Sequence, residues 1–169
     1  MGDAWIGLIG GLVGVGLGGL LTRWQARAAE KEQRRNAHAD RVKAAAVAFL
    51  SVITATEHYA WALLRAPDDD SIRGKLAELH EQRGLTQLAL ALATEREDVR
   101  RASREVRRYA YRSAENAKLG KGPKEPWVDK NGDDTLCPHD GLTNNKRALA
   151  AALAKELDVE DLFAGLIDD

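Results

Sequence analysis

The chain has one cysteine, Cys137, in 169 residues. That excludes an internal disulfide framework and suits a reducing compartment. Proline is almost as sparse: there are four, and none precedes Pro67. Glycine is missing between Gly19 and Gly74. With both helix breakers absent, nothing obliges a helix to stop between Leu20 and Arg65. Aromatic residues make up only 5% of the chain, against abundant Ala, Leu, Arg and Glu, so helix is favoured over sheet. The net charge is −1, which leaves no global field to draw nucleic acid, and nucleic acid is not expected as a partner.

Charge is also absent from Ala4 to Thr22, nineteen residues of which seven are glycine. That length suits a helix crossing a hydrocarbon core of about 30 Å. Trp5 and Trp24 stand at the ends of the run, roughly 28 Å apart on a helical rise, like the two aromatic belts of a bilayer. A secretory signal peptide would open with basic residues, whereas this start is Met1-Gly2-Asp3. No side-chain cation precedes the run, but Arg23, Arg27, Lys31, Arg34, Arg35, Arg41 and Lys43 follow it. The positive-inside tendency then predicts a single-pass protein of the cell membrane, amino terminus outside and body in the cytoplasm. Trp5, Arg23, Trp24 and Arg27 are its expected interface residues, with membrane lipid as a partner.

Gly7, Gly10, Gly11, Gly14 and Gly18 share one stripe of that helix. Small residues four apart let two backbones approach closely in lipid. Self-association into a homo-oligomer through this stripe is expected.

The remainder reads as an all-α body. Residues 1–24 form the transmembrane helix and 25–43 a polar, basic helical stalk. Residues 44–119 form a helical hairpin, 120–143 a long loop, and 144–169 short C-terminal helices, the whole packing as a cytoplasmic bundle. Ala44 to Leu64 is apolar enough to raise a second span, but Glu57 and His58 would be costly in lipid. Val42, Phe49, Leu50, Val52, Ile53, Tyr59, Trp61, Leu63 and Leu64 cover a broad arc, which fits a helix buried in protein. Glu57 on that arc needs a partner, and an arginine of the next helix is expected. Pro67 to Asp70 makes a turn. A second helical stretch runs from about Ser71 to Leu119 and closes at Gly120. Its apolar phase moves from Ile72, Leu76 and Leu79 to Leu85, Leu88, Leu92, Val99 and Val106, so either a break or kink at Gly84 or helices packed on both sides are expected. A final helix is expected over Asn145 to Leu157.

Few constellations offer chemistry. Arg96, Arg100, Arg104, Arg108 and Arg112 recur every four residues and can meet phosphates or an acidic partner. Glu97, Asp98 and Glu105 are interleaved, and the expected ion pairs are Glu97–Arg101 and Arg101–Glu105. Asp129 to Asp134 fails EF-hand spacing, since Gly132 comes two positions early. Cys137-Pro138-His139 lacks the further ligands a zinc site needs. The acidic end carries Leu162, Phe163 and Leu166, which can dock in a partner's groove or cap the protein's own body. No catalytic, metal or cofactor residue is assigned, and no cofactor is expected.

The opening Met1-Gly2-Asp3-Ala4-Trp5-Ile6 with its glycine-rich run is followed by Trp24-Gln25-Ala26-Arg27 and a long Arg/Glu/Gln helix. Over residues 1–40 this resembles a loose group of uncharacterised bacterial single-pass membrane proteins. The resemblance implies a membrane anchor and a helical body, and no activity. The leading expectation is a non-enzymatic, membrane-anchored scaffold or adaptor that self-associates and presents charged helices to a protein partner. The alternatives are a pore-forming or membrane-disrupting effector, and a soluble assembly protein with its glycine-rich helix buried in an oligomer.

Overall fold

The computed structural model describes residues 3–122, 124–126 and 137–159, with side chains from Arg27 onward except Ala28. Among these residues there are four helices and no strand: α1 (Asp3–Arg65), α2 (Asp70–Ala93), α3 (Glu97–Lys118) and α4 (Pro138–Leu157). The chain divides into two units, Met1–Asp40 and Arg41–Asp169.

In the first unit the backbone is helical from Asp3, and the five striped glycines lie on that helix. The side-chain surroundings of residues 3–26, and with them the proposed span and its Trp5, Arg23 and Trp24 anchors, lie outside the described residues. Arg27 and residues 29–37 are exposed, with Arg34 paired to Glu30 at 2.6 Å. A stretch polar on all sides has no face to bury.

In the second unit each helix buries a stripe whose spacing alternates between three and four residues. On α1 the stripe is Val42, Ala46, Phe49, Ile53, Thr56, Ala60 and Leu63, every one at or below 1% exposure. This 3.5-residue period is the seam of helices packed along one another. It is narrower than the arc expected from large apolar residues. Trp61, placed on that arc, is 39% exposed, whereas small Ala46 and Ala60 are buried. Thr56 fits the seam because its hydroxyl donates to the Val52 carbonyl at 2.8 Å.

Within α1, Ala29–Arg65 is long and apolar enough to cross a membrane, and a third of its most apolar stretch is buried against protein. It includes Ala44 to Leu64, the stretch expected to pack in the body; the glycine-rich run lies outside the residues whose side chains are described.

The turn forms as expected. α1 ends before Pro67, and the Asp69 carboxylate caps α2 by accepting from the Ser71 and Ile72 amides at 2.9 and 3.2 Å.

The expected kink at Gly84 does not occur. α2 continues through it to Ala93, and the chain breaks at Thr94-Glu95-Arg96 instead. The stripe of Ile72, Leu76 and Leu79 does not change phase. It continues through Arg83, Thr86 and Leu90, while Leu85, Leu88 and Leu92 remain 68%, 55% and 79% exposed. Counting leucines hid a seam that passes through an arginine. Glu156 of α4 ties the new corner, accepting from the Thr94 hydroxyl and from the Glu95 amide.

α3 is buried along Val99, Ala102, Val106, Tyr109, Ser113 and Asn116. Gly120 ends it as expected. At φ +71° it lets the Lys121 and Gly120 amides reach the Asn116 and Ala117 carbonyls at 2.9 and 3.0 Å. That is a Schellman closure, in which a left-handed glycine satisfies the last carbonyls.

α4 begins at Pro138, seven residues before the expected Asn145, so the segment after α3 is shorter than the 120–143 loop. Proline at the first helical position loses no hydrogen bond there, and it starts the helix. Side chains from all four helices meet in one apolar cluster that includes Phe49, Leu90, Val106 and Leu149. Residues 160–169, carrying Leu162, Phe163 and Leu166, and the Asp129–Asp134 segment lie outside the described residues.

Candidate functional site

The arginines spaced by four are scattered, because four residues turn a helix by about 400°, and the series drifts some 40° per step. Arg96 lies outside α3, as its N-cap, and makes a two-pronged pair with Asp98 at 2.6 and 2.9 Å. Arg100 covers the end of α2, donating to the Ala91 and Thr94 carbonyls at 3.1 and 2.8 Å. It stands in for the amides that the broken helix no longer supplies. Arg104 meets Glu97 at 2.8 Å, Arg108 meets Glu105 at 3.1 Å, and Arg112 lies 5.2 Å from the centre of the Tyr109 ring. These pairs replace the expected Glu97–Arg101 and Arg101–Glu105. Each of the five side chains meets a group of its own chain, and they fan out around the helix.

The Arg96 fork holds the Asp98 carboxyl down at about 2, first through its hydrogen bond. An aspartate depressed below its unfolded value near 3.9 contributes stability above that value and loses it as the pH falls towards 2. Asp98→Asn is therefore expected to lower the melting temperature by a few degrees at pH 6. The gap to the parent should close by pH 2. A gap that is constant from pH 6 to pH 2 would show that this ion pair contributes nothing.

The expected arginine partner of Glu57 is replaced by Lys146 of α4, which ion-pairs with it across 89 positions of sequence. Cys137 caps α4, its sulfur accepting from the Asp140 amide at 3.4 Å. Burial is the main cause raising its thiol above the ordinary value, the opposite of an activated nucleophile.

The site that pattern reading missed lies between α2 and α3. A cleft of about 790 Å³ is lined by His80, Arg83, Gly84, Gln87, Arg107 and Tyr111, with Arg104 and Arg108 and the carboxylates Glu81 and Glu105 beside them. Arg83 reaches it from the buried seam of α2. Its side chain is 2% exposed. One terminal nitrogen, Nη2, faces His80 Nδ1 at 3.0 Å, and the other, Nη1, has no partner among the described residues. Burial is the first cause, and the charge of Arg107 the second, that brings this guanidinium down to about 10.

Arg107 enters from α3 and donates to Gln87 Oε1 at 3.3 Å. Gln87 in turn donates to the Ser103 hydroxyl at 3.5 Å. Gly84 forms part of the cleft wall. A Cβ built there would meet only Arg107 Nη1, at 4.0 Å, so the glycine leaves room and is not itself required by packing. The sequence signal for this site was Arg83 itself, a charge in phase with Ile72, Leu76 and Leu79.

No protein-family model, curated protein or solved structure matches the chain. The reading of its function therefore rests on the residues.

Proposed function

We infer that this is a membrane-anchored, self-associating helical scaffold subunit. The glycine-rich run of residues 4–22 is its single span, the amino terminus lies outside, and the helical bundle from Arg41 onward faces the cytoplasm. The observation that carries self-association is the row Leu85, Leu88 and Leu92 on α2, all more than half exposed. Three leucines at helical spacing without cover are what an interface between helices needs.

A second copy is the occupant that fits. A two-fold axis crossing α2 near Leu88 stacks the row on itself, Leu85 of one copy beside Leu92 of the other, so that one face supplies both sides of the contact.

Magnitudes explain why an anchor is needed. The exposed parts of two such rows amount to about four whole leucines, and burying them is worth about 6–12 kcal/mol gross at about 1.5–3 kcal/mol per leucine. Association costs about 4–15 kcal/mol. The row alone is marginal, and confining copies to one bilayer raises their effective concentration. The glycine stripe adds a second contact inside the lipid. The groups nearest to catalytic candidates have structural uses, Cys137 as a cap and Glu57 in an ion pair, which supports a non-enzymatic role.

The test is a crosslink in native membranes. Leu88→Cys in a Cys137→Ser background should form a disulfide with its own copy. Leu85→Glu with Leu92→Glu should abolish it, and Gly11→Leu with Gly14→Leu should weaken it. A chain that stays monomeric under oxidant removes the proposal, and dye entry into expressing cells would replace it with the pore.

A further inference from the structure

The buried arginine in the α2–α3 cleft has a consequence independent of self-association. A guanidinium cannot shed its charge at neutral pH, so burying it is costly unless an anion or several acceptors meet it. Arg83 is 2% exposed with Nη1 unpartnered, and its Nη2 faces an imidazole nitrogen, which carries no negative charge. Arg107 shares the cleft and is met by the neutral Gln87. Of the carboxylates nearby, Glu105 pairs with Arg108, Glu97 with Arg104 and Glu115 with Lys118, though the charge of Glu115 still reaches Arg83; Glu81 lines the cleft without pairing to either Arg83 or Arg107. Among the described residues, Arg83 and Arg107 are two guanidiniums in one cleft without a carboxylate at ion-pair distance.

We propose that the α2–α3 cleft binds a phosphomonoester or pyrophosphate group, held by Arg83 Nη1 from the buried side and by Arg107 from the α3 side. The lining sets Arg83, Arg104, Arg107 and Arg108 against Glu81 and Glu105, a formal surplus of two positive charges that a dianion balances, and a phosphomonoester carries about −1.5 to −2 at pH 7. Its oxygens point in several directions, so they can accept from two helices at once, whereas a carboxylate accepts within one plane. The cleft's volume of about 790 Å³ exceeds that of a bare phosphate and lies in the range of small-molecule sites, about 300–1,000 Å³. The group is therefore the charged end of a larger ligand, either a soluble metabolite or a lipid headgroup.

Calorimetry on the full chain in neutral detergent distinguishes these sources. The probes are inorganic pyrophosphate, dihexanoyl phosphatidic acid, and dihexanoyl phosphatidylglycerol as a control of lower charge. Saturable binding of pyrophosphate, weakening as salt is raised, supports a soluble ligand. Binding of phosphatidic acid in preference to both others supports a headgroup. Either result should be lost by tenfold or more in Arg83→Met and in Arg107→Gln. Gly84→Leu, which fills the cleft and leaves every charge in place, should abolish it. Arg101→Gln, outside the cleft, should change it by less than twofold. Since Arg83→Met is in the core seam, Arg107→Gln and Gly84→Leu serve as folded variants, checked by an unchanged helical circular dichroism spectrum. The proposal is overturned if no probe binds at millimolar concentration, or if Arg101→Gln weakens binding as much as Arg107→Gln does.

Discussion

Replacing Gly141 by alanine is expected to destabilise the protein by about 2 kcal/mol or more, although alanine is the better helix former. Gly141 lies in the first turns of α4, and a Cβ there would stand 2.2, 2.4 and 2.7 Å from three carbons of the Tyr109 ring. Carbon atoms pack at about 3.5–4.0 Å, so something must yield by more than an ångström. The ring cannot swing freely, because Tyr109 is 8% exposed in the core and the Arg112 guanidinium lies against it. Overpacking of this kind costs about 1–3 kcal/mol and occasionally more. The gain in helix propensity returns at most about 1 kcal/mol. A contact this short belongs at the upper end of the first range, so strain wins.

Thermal unfolding of the full chain, followed by circular dichroism, should show a melting temperature lower by roughly 6–12 °C. Tyr109→Leu should be destabilising alone. Combined with Gly141→Ala it should cost at least 1 kcal/mol less than the sum, because both changes act on one contact. A Gly141→Ala protein as stable as the parent would mean that α3 and α4 are not this close.

Lys146→Met should be comparably damaging for an electrostatic reason. The Lys146 and Glu57 side chains are 12% and 20% exposed, so the pair is largely withdrawn from water. Removing the lysine leaves a carboxylate in the core without a counter-charge, a change worth about 3–5 kcal/mol in buried pairs. Glu57→Leu with Lys146→Met removes both charges and keeps the volume. It should recover most of the loss, because the pair's attraction is largely offset by its desolvation. Denaturant unfolding of the two single variants and the double decides this. A double variant as unstable as Lys146→Met alone would assign the loss to the packing of the lysine stem.

How much of this was legible depended on whether a signal was local. The α1–α2 turn was read from Pro67 and its aspartates, and the end of α3 from Gly120, since each acts on backbone groups within one turn. The start of α4 is harder to read, because proline breaks a helix at most positions and starts one only at the first. The seam of α2 is hidden in the sequence because Leu85, Leu88 and Leu92 outweigh Arg83 and Thr86 on any apolar count. Only the packing of α3 shows which row is covered. The same count hides the cleft, whose key residue looks like a mistake in an apolar stripe until a partner helix lies beside it.

By itself the sequence determined the helical class, the polar stretch before the body, the turn at Pro67 and the stop at Gly120. These follow from residue conformational preferences and from hydrogen bonds closed within a few positions. Tertiary structure alone decided that Lys146 answers Glu57, that Gly141 admits the Tyr109 ring, and that Arg83 and Arg107 share one cleft. Such contacts join residues from 24 to 89 positions apart. They depend on the rotation of each helix about its own axis, and that rotation is set by small and polar seam residues whose burial no hydrophobicity count reports.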